Sequence, residues 1–235
     1  MKFYKLKALF KLGIQDLTKN VNVFVYIIMP LAFALLYANM DTLSSDFVFS
    51  LCMLLNLSMV PVALMGTIIA EEKEKNTLRT LMLHDVSATE ILFAKALICM
   101  LFVMLNNILM FFIVGFSMNQ FPAYQTVGFF VSLAVIFFGA LVGLLAKNQM
   151  SAGLLSIPFM AIFMAPLFIQ MTKSKLASNI SSVLPTDAMM KIFDAISKNH
   201  VSISSIGKEL FVIGIWLVLG VAFFRIVYKK VGVDN

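Results

Sequence analysis

Six long apolar runs constrain this chain more than any other feature. They fall at about 21–38, 47–70, 91–117, 126–146, 151–171 and 209–228, each of a length that crosses a bilayer as a helix. In hydrocarbon a backbone N–H or C=O has no water to bond, so such runs form helices that satisfy their own backbone. Little remains between them for a soluble domain. The composition agrees: 61% of residues are hydrophobic and 13% charged, with a mean hydropathy of +0.96, outside the range of soluble domains. The expected fold class is all-α, a polytopic membrane protein of six transmembrane helices forming a single domain over 1–235. A net charge of +6 raises nucleic acid as a partner, but the basic residues are scattered between apolar runs, where they act as topology signals, and that partner is excluded.

Residues 1–20 read as an interfacial amphipathic helix. Phe3, Leu6, Leu9, Phe10, Gly13, Ile14 and Leu17 share one side of a helical wheel, and Lys7, Lys11, Gln15 and Lys19 the other. No small-residue cleavage site follows the first run, so it is expected to stay as a span. Pro30, Pro158 and Pro166 fall inside runs and predict kinks. Cys52 and Cys99 differ in depth by roughly 10 Å, too far for a disulfide. With the N-terminus in the cytoplasm, only Lys173, Lys175, Lys191, Lys198 and Lys208 of the 18 Lys and Arg lie outside, and the two short outer loops hold none. Both termini are therefore expected in the cytoplasm.

The most charged stretch follows the second run: Glu71 Glu72 Lys73 Glu74 Lys75 Asn76 Thr77 Leu78 Arg79 Thr80 Leu81 Met82 Leu83 His84 Asp85. Glu71 and Lys75 stand at i, i+4, and Leu78, Leu81 and Met82 form a short apolar patch, so a helix is expected over 71–85. Ser87 with Glu90 three residues on is a capping box that opens the third span. A charged helix projecting between two spans is what a soluble partner needs in order to push on them. Its carboxylates Glu71, Glu72 and Glu74 can meet basic groups while the apolar patch enters a groove. The other reading is a solvated loop that merely satisfies topology, and pattern alone leaves both open.

The string Ala70 Glu71 Glu72 Lys73 Glu74 Lys75 Asn76 Thr77 Leu78 Arg79 Thr80 Leu81, with Val86 Ser87 Ala88 Thr89 Glu90 Ile91 Leu92 Phe93 Ala94 Lys95, resembles the segment after the second span in type-2 ATP-binding cassette permeases. That family shows an E-x-E-x-x-T-L-x-x-L core, a turn, a polar cap, an acidic residue and a Lys. Glu72, Glu74, Thr77, Leu78, Leu81, Ser87, Glu90 and Lys95 fit it, and Leu184 Pro185 Thr186 is similar to the family more weakly. His84 Asp85 stands where members usually carry a Pro, which changes the path of the turn. The resemblance implies that 71–85 is a coupling helix docking on a cytoplasmic ABC ATPase, with Glu71, Arg79 and Met82 in the same contact. It also implies a second permease, a copy or a paralogue, and a bacterial plasma membrane. The chain has no GxxxxGK[ST] phosphate loop, so ATP and magnesium belong to the partner and no cofactor is expected here.

An enzyme finds no support. The E-E-x-x-x-R pattern of some intramembrane proteases fails at Asn76, and His84 and His200 are expected on opposite sides of the bilayer, so no metal site forms. Asn56, Asn106 and Asn107 lie deep in the second and third spans, either lining a translocation path or hydrogen-bonding between helices. Gly139 and Gly143 form a GxxxG step for close helix packing. No charge is deep in any span, which disfavours a proton relay. No internal repeat suggests a secondary transporter. With 17 Met and 23 Phe, a greasy lining and a hydrophobic or amphipathic cargo are expected: a peptide toxin, bacteriocin or drug, exported as in the bacterial peptide-toxin exporters this chain resembles. Between the fifth and sixth spans, 172–208 is expected to form short re-entrant helices, one over Ala188 to Ile196. The rival reading is a non-transporting immunity or regulatory protein that binds its partner through 71–85.

Overall fold

Every apolar run is a helix, and most of the helix ends lie beyond what hydropathy marks. The computed structural model describes residues 3–17, 20–40, 44–77, 81, 86–172, 175–198 and 203–231. Among them the regular elements are all helical: α1 (Phe3–Leu17), α2 (Val21–Ala38), α3 (Ser45–Met59), a π-helical turn (Val60–Leu64), α4 (Met65–Glu74), α5 (Ala88–Val114), a 3₁₀ turn (Met118–Gln120), α6 (Phe121–Leu145), α7 (Gln149–Thr172), α8 (Lys175–Ser181), α9 (Pro185–Ser197) and α10 (Ile203–Val231). Six of these stretches are long and apolar enough to cross a membrane, with α3, the π-turn and α4 making one continuous crossing of 30 residues.

The shifted ends have local causes. Ser44 accepts from the Phe47 amide at 3.4 Å and starts α3 ahead of its apolar run. Ser87 and Glu90 close the reciprocal box, 3.3 Å from the Glu90 amide to the Ser87 hydroxyl and 3.1 Å from the Ser87 amide to the Glu90 carboxylate. The stretch 118–125, between the third and fourth apolar runs, is mostly the start of α6, because Pro122 sits in the first turn where its missing N–H costs nothing. Pro185 likewise starts α9 three residues before the expected Ala188. Pro30, Pro158 and Pro166 all remain inside unbroken helices.

The core lies between two parallel helices. The α3–α4 crossing is 83% buried over its apolar window and α6 78%, against 11% for α10. Pro61 has no N–H for the Leu57 carbonyl, and the helix passes it as a π-turn. Its own carbonyl points at α6, where a Cβ on Gly139 would collide with it. Gly143 repeats the arrangement one turn on, with Ile69 Cβ 2.6 Å and the Gly66 carbonyl 2.9 Å from where a Cβ would stand. The GxxxG step is thus spent inside the chain, on the second span. α1 lays its apolar side, with Leu9, Gly13 and Leu17 buried, along the start of α5.

One end of the bundle, the charged end, collects α1, the 71–77 segment and the α6–α7 turn. At the opposite end α9 buries Met189, Ile192, Phe193 and Ile196 against the spans. Phe49, Phe111, Phe116, Tyr124 and Phe193 stack there, with Tyr124 4.8 Å from Phe193 and 4.9 Å from Phe49 between ring centres. Asp187 is buried in the first turn of α9, paired with Lys191 at 2.7 Å and accepting from Ser181 at 3.1 Å.

The Pro61–Gly139 contact predicts a large effect from one methyl group. Gly139→Ala should lower the thermal midpoint of the detergent-solubilised protein, by an overpacking penalty of about 1–3 kcal/mol or more. Gly214→Ala, where nothing lies within 4 Å of the new Cβ, should leave the midpoint unchanged or raise it.

Candidate functional site

In an α-helix successive residues point 100° apart, so four in a row face four directions. The last turn of α4, Glu71 to Glu74, uses each direction for a different helix. Glu71 accepts from the Asn20 side chain at 2.8 Å, at the N-cap of α2, and pairs with Lys75 at 2.5 Å. Glu72 pairs with Lys95 on α5 and accepts from the Thr77 hydroxyl at 2.7 Å. Lys73 donates to the carbonyls of Leu144 and Ala146 at the end of α6, at 2.7 and 2.9 Å. Glu74 accepts the Gln149 amide at 3.0 Å, at the start of α7. Asn20 also donates to the Gln149 side chain at 2.8 Å, which joins α2 to α7.

Two of these groups are deeply placed. The Glu72 and Lys95 side chains are each 6% exposed, and a cleft of about 60 Å³ lined by Gly13, Asp16, Leu17, Ile68, Thr77 and the ion pair adjoins them. Gly13 of α1 closes over the pair: a Cβ there would collide with Ile98 and stand 3.7 Å from the Lys95 ammonium. Beyond Glu74 the helix ends. Asn76 adopts φ +54°, a left-handed conformation that Asn tolerates better than most residues. Glu74, Lys75, Asn76 and Thr77 are exposed. The Lys75 ammonium is held above its ordinary pKa chiefly by its hydrogen bond to Glu71, with the nearby carboxylates adding to this against some burial.

The expected carboxylate set therefore divides. Glu71 and Glu72 are buried and bonded within the chain, not presented to a partner, and Glu74 is exposed with one oxygen on Gln149. The segment is not a separate helix from residue 71: its first turn is the end of the second span, and the chain turns at Asn76. Leu81 is half-buried against the cluster of Leu9, Ile91 and Ala94, so it rests on α1 and α5. Leu78, Arg79, Met82, His84 and Asp85 lie outside the described residues. Asn20, Lys73 and Gln149 are members of the cluster that sequence reasoning missed. Asn20 carries a readable signal, a polar N-cap residue just before an apolar run. Lys73 carries none, since only the packing of α4 on α6 brings a carbonyl end within its reach.

The three intramembrane asparagines form one network. Asn56 donates to Asn107 at 2.7 Å and to the Val103 carbonyl at 3.1 Å. Asn106 donates to Asn56 and to the Ile27 carbonyl, both at 2.9 Å. All three are buried, so α2, α3 and α5 are stitched together and none of the three faces open space. The Asn107 amide nitrogen points toward Gly128, which leaves it room, and has no hydrogen-bond partner among the described residues. In this conformation the interhelical role is the occupied one.

A family model described as ABC-2 family transporter protein matches residues 18–226. The match takes in five of the six candidate spans whole, the sixth up to residue 226, and the polar cluster except its α1 cover. No curated protein matches the chain.

The buried ion pair gives a double-mutant test. Glu72→Gln or Lys95→Met alone leaves one uncompensated charge between α4 and α5, and each should cost about 3–5 kcal/mol in thermal or denaturant unfolding. The double variant should recover most of that loss. Additive losses would mean that the pair does not interact in the folded protein.

Proposed function

The chain belongs to the ABC-2 transporter family, matched over residues 18–226, and is a multi-pass transmembrane component of an ABC transporter; on that premise we propose that it is the permease of an exporter whose separate ATPase grips the 71–85 segment. One observation carries this reading. The tip of the segment, Glu74 to Thr77, is exposed, while its base is bonded to α2, α5, α6 and α7 in a single turn. A partner that displaces the tip displaces four helices at once. Glu74, Lys75 and Thr77 are then contact residues, and Glu71 and Glu72 are the root through which force enters the spans. The resemblance of Thr77 and Leu81 to the family pattern supports the same assignment, with ATP and magnesium held by the partner.

In this reading the charged end faces the cytoplasm of a bacterial cell and both termini lie there, as the distribution of Lys and Arg favours. A second permease, identical or not, completes the assembly. Helices α2, α7 and α10 are 17%, 22% and 11% buried in their apolar windows, which leaves wide apolar faces for it and for lipid. Cargo is hydrophobic or amphipathic, a peptide toxin, bacteriocin or drug. No ionised side chain lies near the middle of the six candidate spans to bind an ion or a sugar, and the asparagines are engaged with one another.

The test is protection of the tip. Affinity-purified permease should carry a soluble phosphate-loop ATPase. In Lys75→Cys, a membrane-impermeant maleimide added from the cytoplasmic side should react several-fold more slowly in the complex than in the permease alone. Cys52 and Cys99 are buried and give little background. Equal rates, or labelling from outside the cell, would remove the assignment.

A further inference from the structure

We propose that Lys73 and Glu74 form an electrostatic latch on the α6–α7 turn, making that turn and the 71–77 segment move as one body. The inference rests on the reading of 71–77 as the ATPase-facing lever and names where its motion goes.

The last carbonyls of a helix and the first amides of the next lack intrahelical partners and carry the negative and positive ends of the two macrodipoles. Both orphan sets occur within a few residues here, because α6 ends at Leu145 and α7 begins at Gln149. Lys73 places its ammonium on the Leu144 and Ala146 carbonyls, a cation at a C-terminus. The next residue, Glu74, places its carboxylate on the Gln149 amide, an anion at an N-terminus. Each charge matches the pole that it touches, and exchanging the two would oppose both. The turn is itself stiff: Asn148 accepts the Ser151 amide at 2.8 Å, and the Ser151 hydroxyl accepts the Lys147 and Asn148 amides at 2.9 and 3.0 Å. No loose linker therefore separates the latch from the helices it holds. One of those helices, α6, is the inner core helix that packs on α4 through Gly139 and Gly143. The latch thus holds at the helix ends the same helix pair that the glycines hold in the turns just before. Lys73 and Glu74 are positioning residues, acting on cargo movement only through α6 and α7.

Hydrogen exchange of the purified permease tests the hold. Amides 142–149 should exchange about tenfold faster in Lys73→Met and in the swapped Lys73→Glu/Glu74→Lys, while Lys73→Arg restores protection. In Glu74→Ala the effect should centre on Gln149. Unchanged exchange in Lys73→Met overturns the latch. Transmission is read by pulsed electron spin resonance on the permease–ATPase complex, with labels at Phe93→Cys paired to either Lys75→Cys or Met150→Cys, all exposed positions. Trapping nucleotide should change both distances in the otherwise native chain. In Lys73→Met the Lys75 pair should still respond and the Met150 pair should not. If both pairs respond regardless of Lys73, the latch alone fails. If neither responds in the native chain, the lever reading fails and takes the latch's transmitting role with it.

Discussion

A backbone carbonyl pressed against a glycine holds the centre of this protein. Pro61 cannot donate to the turn before it, so the second span opens into a π-turn. The carbonyl it turns outward needs a neighbour without a side chain, and Gly139 is that neighbour. From this contact the register of two parallel helices follows. Gly66 meets Val142, Ile69 meets Gly143, and Lys73 arrives at the terminal carbonyls of α6. In a bilayer no hydrophobic force draws helices together, and close backbone approach supplies the packing in its place. The α4–α6 pair is therefore a stiff unit, and the other spans are arranged around it.

The same register explains how a cluster rich in carboxylates survives at the edge of the membrane. Glu71, Glu72 and Glu74 stand at the C-terminal end of α4, where the macrodipole is negative and anions are disfavoured. Each has an answer from outside the helix: the Asn20 amide with Lys75, the Lys95 ammonium, and the Gln149 N–H. The burial of Glu72 and Lys95 adds a desolvation cost that their mutual pairing, with the Thr77 hydroxyl donating to Glu72, offsets. Such a site is weak as a source of stability and strong as a constraint on geometry, because separating Glu72 from Lys95 strands two buried charges. That property suits a joint between an exposed tip and four helices.

The sequence made the spans legible because hydrophobic length is a one-dimensional signal, and it made the Ser87–Glu90 cap legible because both partners lie within four residues. It also marked Gly139 and Gly143 as a close-packing step. The function of the acidic run was harder to read. In one dimension Glu71, Glu72 and Glu74 look alike, exposed and free for a partner. What separates them is the rotation of the helix on which they stand, continuous with the second span, and the positions of Asn20, Lys95 and Gln149, which are 51, 23 and 75 residues away from their respective carboxylates. The π-turn at Pro61 was equally hidden, since a proline in an apolar run predicts a kink without saying that the helix will absorb it as an extra residue.

The asparagine network bears on where a cargo passes. A polar path through this chain's own bundle would need open space beside Asn56, Asn106 or Asn107, yet all three are buried and their bonds close α2 onto α3 and α5. The α4–α6 seam is closed more tightly still by its glycines. Accessible apolar faces lie on α2, α7 and α10, with Phe24, Leu36, Leu154, Phe211 and Val218 all more than half exposed, and on the outer side of α5, where Phe93 and Phe112 are about half exposed. The route we propose along those faces, between this chain and a second permease, offers hydrocarbon contact and almost no hydrogen bonds. Such a surface discriminates poorly against a greasy or amphipathic molecule and strongly against a hydrated one, which would have to leave its water without replacement. The stiffness of the core and the apolar cargo we propose thus have one origin: most buried polar groups are engaged inside the chain, and the outer faces are apolar.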